Sequence, residues 1–101
     1  MSLEENLEEE TRKWLVKAED LLAAVSGEEH FLENVSAYIR DSHYFLEKGD
    51  PIRAFEAVIW AWAWMEIGLE RKILENEILE KEIPESSLAE RKSPSKNLQA
   101  E

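Results

Sequence analysis

His30 and His43 are the side chains of this 101-residue chain that titrate near neutrality without perturbation, so they are the first candidates for acid–base chemistry or metal ligation. Neither has the neighbours that such chemistry needs. A di-iron helical bundle uses Glu-x-x-His on its helices. Here the residue three before His43 is Arg40, and three before His30 is Gly27. No second histidine stands one helical turn away to complete a zinc pair. With no cysteine in the chain, a disulfide framework, a thiolate metal site and a cysteine nucleophile are all excluded. Gly-rich phosphate loops and Gly-x-Ser-x-Gly elbows are missing as well. The acidic runs Glu8-Glu9-Glu10 and Glu75, Glu77, Glu80, Glu82 offer oxygen ligands, but a hard cation needs converging oxygens and neighbouring glutamates on a helix diverge. They read as solvated faces, and no metal or cofactor is expected. What remains is one polar cluster, Arg40, Asp41 and His43, whose three-residue spacing sets a guanidinium and an imidazole near one helix face. It is the alternative polar site, and on its own it makes no case for an enzyme.

Charge narrows the partners further. Twelve Lys and Arg against 23 Asp and Glu give a formal net charge of -11, which opposes nucleic-acid binding and repels anionic lipid. Twenty of the 23 acids are glutamate, the helix-tolerant one, and only three Gly and three Pro are available for turns. The composition therefore predicts an all-α fold with one modest core. The most apolar window, Ile52 to Leu69, is broken by Arg53, Glu56 and Glu66, and its longest uncharged stretch is Ala57 to Met65. A membrane span needs about 20 residues. The chain opens Met1-Ser-Leu-Glu-Glu, without the basic start and apolar run of a secretory signal, so the expected location is cytoplasmic.

Three segments with a helical apolar period lie between Ser26-Gly27, Gly49-Asp50-Pro51 and Pro84, and they predict an antiparallel up-down-up three-helix bundle. The expected helices are about 3–25, 28–48 and 51–83, forming one domain over 1–83, followed by a flexible tail over 84–101. Ser2 with Glu5 forms a capping-box pattern at the start of the first helix. Leu7, Thr11, Trp14, Ala18, Leu21, Leu22 and Val25 form its apolar stripe, with Leu15 at the edge. The second helix carries Phe31, Val35, Tyr38, Ile39, Ser42, Phe45 and Leu46 on one face. Gly49, Asp50 and Pro51 then supply a left-handed helix stop, an N-cap and a first-turn proline in succession.

The third helix is predicted to be the longest, about 50 Å at 1.5 Å per residue. Ala54, Ala57, Val58, Ala61, Trp62, Met65, Gly68 and Leu69 make its core face. Trp60, Trp64, Ile67, Leu74 and Ile78 form a second stripe, interleaved with Arg53, Glu56 and Arg71, and two companion helices cannot cover both. Exposed apolar patches of a few hundred Å² mark interfaces, and Trp is enriched at binding hot spots. These five residues are therefore the expected interface, with a second copy of the chain or another protein as the partner. The competing expectation is that the tail, or a kink at Gly68, folds back over the stripe within one chain.

The stretch Tyr44-Phe-Leu-Glu-Lys-Gly-Asp-Pro-Ile-Arg-Ala-Phe-Glu-Ala, continuing through Ala61 to Gly68, resembles an archaeal family of uncharacterised small helical proteins, number 357 among the domains of unknown function. The resemblance spans roughly residues 10 to 75 and implies a helical bundle, with no activity or catalytic residue to carry over. The same turn is similar to a single tetratricopeptide-type hairpin, with Gly49, Ala54, Val58 and Ala61 at its small and packing positions, but no second copy follows to build a peptide groove. Arg40 and His43 resemble, at a shorter spacing, the Arg-x4-6-His element of HEPN-type helical ribonucleases. An HEPN-like enzyme subunit or accessory domain is accordingly the alternative to an interaction module.

Overall fold

Ser2 opens the first helix in the manner its spacing from Glu5 predicts. Its hydroxyl accepts from the Glu5 N–H at 3.1 Å, and the Glu5 carboxylate accepts from the Ser2 N–H at 3.0 Å, so each side chain satisfies a backbone donor of the other. A computed structural model describes residues 2–77. Within them the chain forms α1 (Leu3–Ala24), β1 (Val25–Gly27), α2 (Glu29–Glu47), α3 (Pro51–Glu70) and β2 (Leu74–Asn76). The fold is all-α, with three helices packed on one another and one short two-stranded ribbon at the side. α3 lies against both other helices and meets α2 most extensively.

The core is a strip of small and medium apolar side chains: Leu15 and Ala18 from α1, Val35 and Ile39 from α2, and Ala54, Val58, Ala61 and Met65 from α3. Four alanines or glycines on the inner face of α3, Ala54, Ala57, Ala61 and Gly68, keep the helix axes close. Two buried hydroxyls are satisfied within the fold. Thr11 donates back to the Leu7 carbonyl at 2.8 Å, and Ser42 donates across to the Ala54 carbonyl at 2.7 Å, tying α2 to the first turn of α3.

Gly49, at φ 75°, closes α2: its N–H reaches the Leu46 carbonyl and the Asp50 N–H reaches the Phe45 carbonyl at 2.8 Å. That is the paired hydrogen-bond pattern of a left-handed helix stop. The Asp50 carboxylate then caps α3 by accepting from the Arg53 N–H at 3.1 Å, one residue before Pro51.

The end of α3 differs from the expectation of a helix running to residue 83. The helix stops at Glu70, because Lys72 takes the left-handed conformation at φ 63°. The Lys72 N–H bonds the Leu69 carbonyl and the Ile73 N–H bonds the Gly68 carbonyl at 2.8 Å, the same closing pattern as at Gly49 but without a glycine. The chain then turns back and β2 pairs antiparallel with β1, in the register Val25 to Asn76, Ser26 to Glu75 and Gly27 to Leu74. Val25 and Ser26-Gly27, expected as helix end and turn, are thus one strand of a ribbon. Two glycines make room for it. A Cβ on Gly27, whose φ is 154°, would run into the Ile73 carbonyl oxygen and come within 2.8 Å of a Leu74 methyl. One on Gly68 would stand 2.8 Å from Leu74 and from the Phe31 ring. The predicted helix over 78–83, the stripe position Ile78 and the tail over 84–101 lie outside the described residues. No helix among the described residues is long and apolar enough to cross a membrane.

Candidate functional site

The outer face of α3 carries Trp60 at 54% exposure and Ile67 at 43%, two turns apart on one line of the helix. Trp60 lies nearly parallel to the Tyr38 ring of α2, with centroids 6.4 Å apart and planes at 21°. Trp64 is half-buried at the seam between the helices and meets Phe31 edge to face at 5.8 Å and 85°. Its indole N–H is buried without an acceptor among the described residues. An aromatic band therefore crosses from α2 to α3, and Phe31 and Tyr38 belong to it as much as the tryptophans do. The helical period alone places both on the inward stripe of α2. They stand seven residues apart on one flank of that stripe and are half-buried, and the spacing on α2 alone does not show that this flank meets α3.

The other two tryptophans serve the opposite seam. Trp62 packs edge to face on Trp14 at 5.4 Å and donates its indole N–H to Glu66 at 2.9 Å, while the Lys17 ammonium sits 4.6 Å from the Trp14 ring centroid. Trp14 and Trp62 thus join α1 to α3, as Trp60 and Trp64 join α2 to α3.

Two expected members of the stripe are elsewhere. Leu74 lies on β2 rather than on α3, and it is 2% exposed in the socket formed by Gly68 and Phe31. The helical period that assigned it to the stripe stops applying at the left-handed Lys72. Ile78 falls outside the described residues. Leu74 thus leaves the stripe through a reversal at Lys72 rather than a kink at Gly68, while Trp60 and Ile67 are exposed.

Charges frame the open part. Arg53 pairs with Asp50 at 2.7 Å. The Arg53 backbone N–H, and then its guanidinium, hold the Asp50 carboxyl below its ordinary value of 3.8, and the same carboxylate raises Arg53. Glu56 and Arg71 are exposed, and neither makes an ion pair within 4 Å among the described residues.

The polar cluster on α2 does not assemble. Arg40 reaches back along its own helix to Glu33 at 3.0 Å, and His43 reaches across to Glu19 of α1 at 2.8 Å. Asp41 is exposed and takes part in neither pair. Arg40 and His43 reach different carboxylates, so the three residues form no joint acid–base site. No group of three or more His, Cys, Asp or Glu side chains among the described residues is placed to hold a metal ion.

Residues 3–74 match the model of a family described as a protein of unknown function, DUF357. The chain belongs to the DUF357 family. Among solved structures it is similar to the protein AF1782 from Archaeoglobus fulgidus, a DUF357 crystal structure, with 57% sequence identity and a TM-score of 0.72 over 74% of this chain and 99% of that one. No curated protein matches it. The DUF357 match takes in all three helices and ends at Leu74, the residue that fills the Gly68 socket. Gly27 and its ribbon partner Leu74 thus fall within the match, and Glu75 and Asn76 lie beyond it.

Proposed function

We propose that this DUF357 chain is a protein-interaction module that self-associates through the outer face of α3, with Trp60 and Ile67 as its exposed anchors and Trp64 at its edge. The observation that carries this reading is the exposure of Trp60 and Ile67 on a helix whose opposite face is already filled by the core. A half-exposed Trp stacked on Tyr38 loses little conformational freedom when a partner covers it, because its ring is already oriented. Rigid aromatic anchors of this kind are where interface energy concentrates. The chain also lacks charge from Ala57 through Met65, in a molecule of net charge -11, so this is a face on which two copies meet without apposed carboxylates.

The test compares wild type with the double variant Trp60→Glu and Ile67→Glu by light scattering after gel filtration, with circular-dichroism melts of both. Both side chains are exposed, so the variant is expected to stay folded while its mass falls from dimer to monomer. Equal masses for the two folded proteins would defeat the proposal.

A further inference from the structure

The open stripe ends in charges of opposite sign. Glu56 stands one turn before Trp60 and Arg71 one turn after Ile67, both exposed and neither held in an ion pair among the described residues. The other charge on this line, Arg53, is held by Asp50 and feels Glu56 only as the weakest of the influences that raise its pKa, without an ion pair within 4 Å. At about 100° per residue, Glu56 lies roughly 40° to one side of Trp60 and Arg71 roughly 20° to the other, so both border the stripe. Glu70, about 80° round from Trp60, lies outside it.

We infer that a second copy of the chain docks on this face antiparallel, with Glu56 of each copy opposite the partner's Arg71 and Trp60 of each opposite the partner's Ile67. The inference rests on the self-association reading and fixes its geometry. An isologous two-fold interface must be complementary to itself. The order Glu56, Trp60, Ile67, Arg71 has that property only when reversed, because the midpoint of 56 and 71 and the midpoint of 60 and 67 are the same point, between Ala63 and Trp64. With a two-fold axis there, each unpaired charge sits about 11 Å from the axis, beside its opposite on the partner. A parallel pair would set Glu56 against Glu56 and Arg71 against Arg71. Ala63, half-buried next to the axis, is small enough to let the two helices approach.

Because the protein has no cysteine, single cysteines report this geometry directly. Glu56→Cys and Arg71→Cys chains, each alone and then mixed, are oxidised under mild conditions, and the disulfide-linked dimer is followed with time. The inference predicts fast cross-linking in the mixture and slow cross-linking in either variant alone. Fast self-linking of Glu56→Cys would indicate a parallel pair and overturn it. Charge reversal supplies a second readout. Glu56→Arg or Arg71→Glu alone should weaken the dimer about tenfold, and an equimolar mixture of the two should recover the affinity. A wild-type dimer lost in Trp60→Glu but indifferent to charge and to cysteine position would overturn the antiparallel geometry and leave the self-association reading standing. A wild type that stays monomeric would overturn both and leave the face to a different protein or to the chain's own C-terminal segment.

Discussion

At Lys72 the backbone adopts a conformation that costs a side-chain-bearing residue about 1–2 kcal/mol and costs glycine nothing. Glycine loses more entropy on folding, which offsets part of the gain. Lys72→Gly should therefore stabilise the fold by about 0.5–1 kcal/mol in urea melts. An unchanged or lowered midpoint would show that the turn at 72 does not close α3. Gly68 and Leu74 form a second local test. Gly68→Ala places a methyl group 2.8 Å from Leu74 and Phe31, and should destabilise by about 1–3 kcal/mol. Leu74→Ala empties the same socket and should cost about 2–5 kcal/mol. Since the new methyl would occupy space the leucine vacates, the double variant should lose less than the sum, and strict additivity would mean that the two residues do not touch. Asp50 supplies the pH dependence. Its folded value lies below 3.8, so its contribution is complete at neutral pH and is lost as the pH falls below 3.8 and through the lower folded value. Thermal melts of wild type and Asp50→Asn should differ by a constant amount from pH 7 down to about 5 and converge in more acid solution. A gap that widened on acidification would reverse the assigned sign.

The two helix stops explain, at the level of elements, how much of the fold was legible in the chain. The stop at Gly49 was plain, because glycine, a capping aspartate and a first-turn proline stand in succession and each has one physical use there. At Lys72 the hydrogen bonds are of the same kind, but the residue in the left-handed position is a lysine, and no glycine or proline lies between 69 and 83 to mark the reversal. The apolar period also misled. Leu74 is seven residues beyond Ile67, the spacing a continuing helix would show, although it faces the core from a strand. The strand itself had no local signature. β1 and β2 are three residues each, and Gly27 pairs with Leu74 across nearly half of the chain, so only the folded bundle brings them together. Within α1 and α2 the stripes were readable because nothing interrupts them: Thr11 and Ala18, Val35, Ile39 and Ser42 are all buried at positions the period assigned inward. Of the candidate site, Trp60 and Ile67 were legible as exposed apolar residues. Tyr38 and Phe31 were not, since a helical wheel treats each helix alone and cannot show which flank faces the seam with its neighbour.

For the whole molecule, the question is how a small acidic bundle disposes of a half-exposed tryptophan and an exposed isoleucine on its most apolar helix. The three helices bury one another through alanine, glycine and medium aliphatic side chains, with Trp14 and Trp62 packed at the seam of α1 and α3 and Trp64 at the seam of α2 and α3. That arrangement satisfies the fold and leaves Trp60 and Ile67 outside it. Membership of DUF357 and the likeness to the Archaeoglobus fulgidus protein account for the bundle; the use of the outer face is the reading proposed here. Sedimentation equilibrium of the unaltered chain over a hundredfold range of concentration tests that reading most directly. The account predicts a mass that rises to twice 11.8 kDa with concentration, and a mass that stays at 11.8 kDa throughout the range would contradict it.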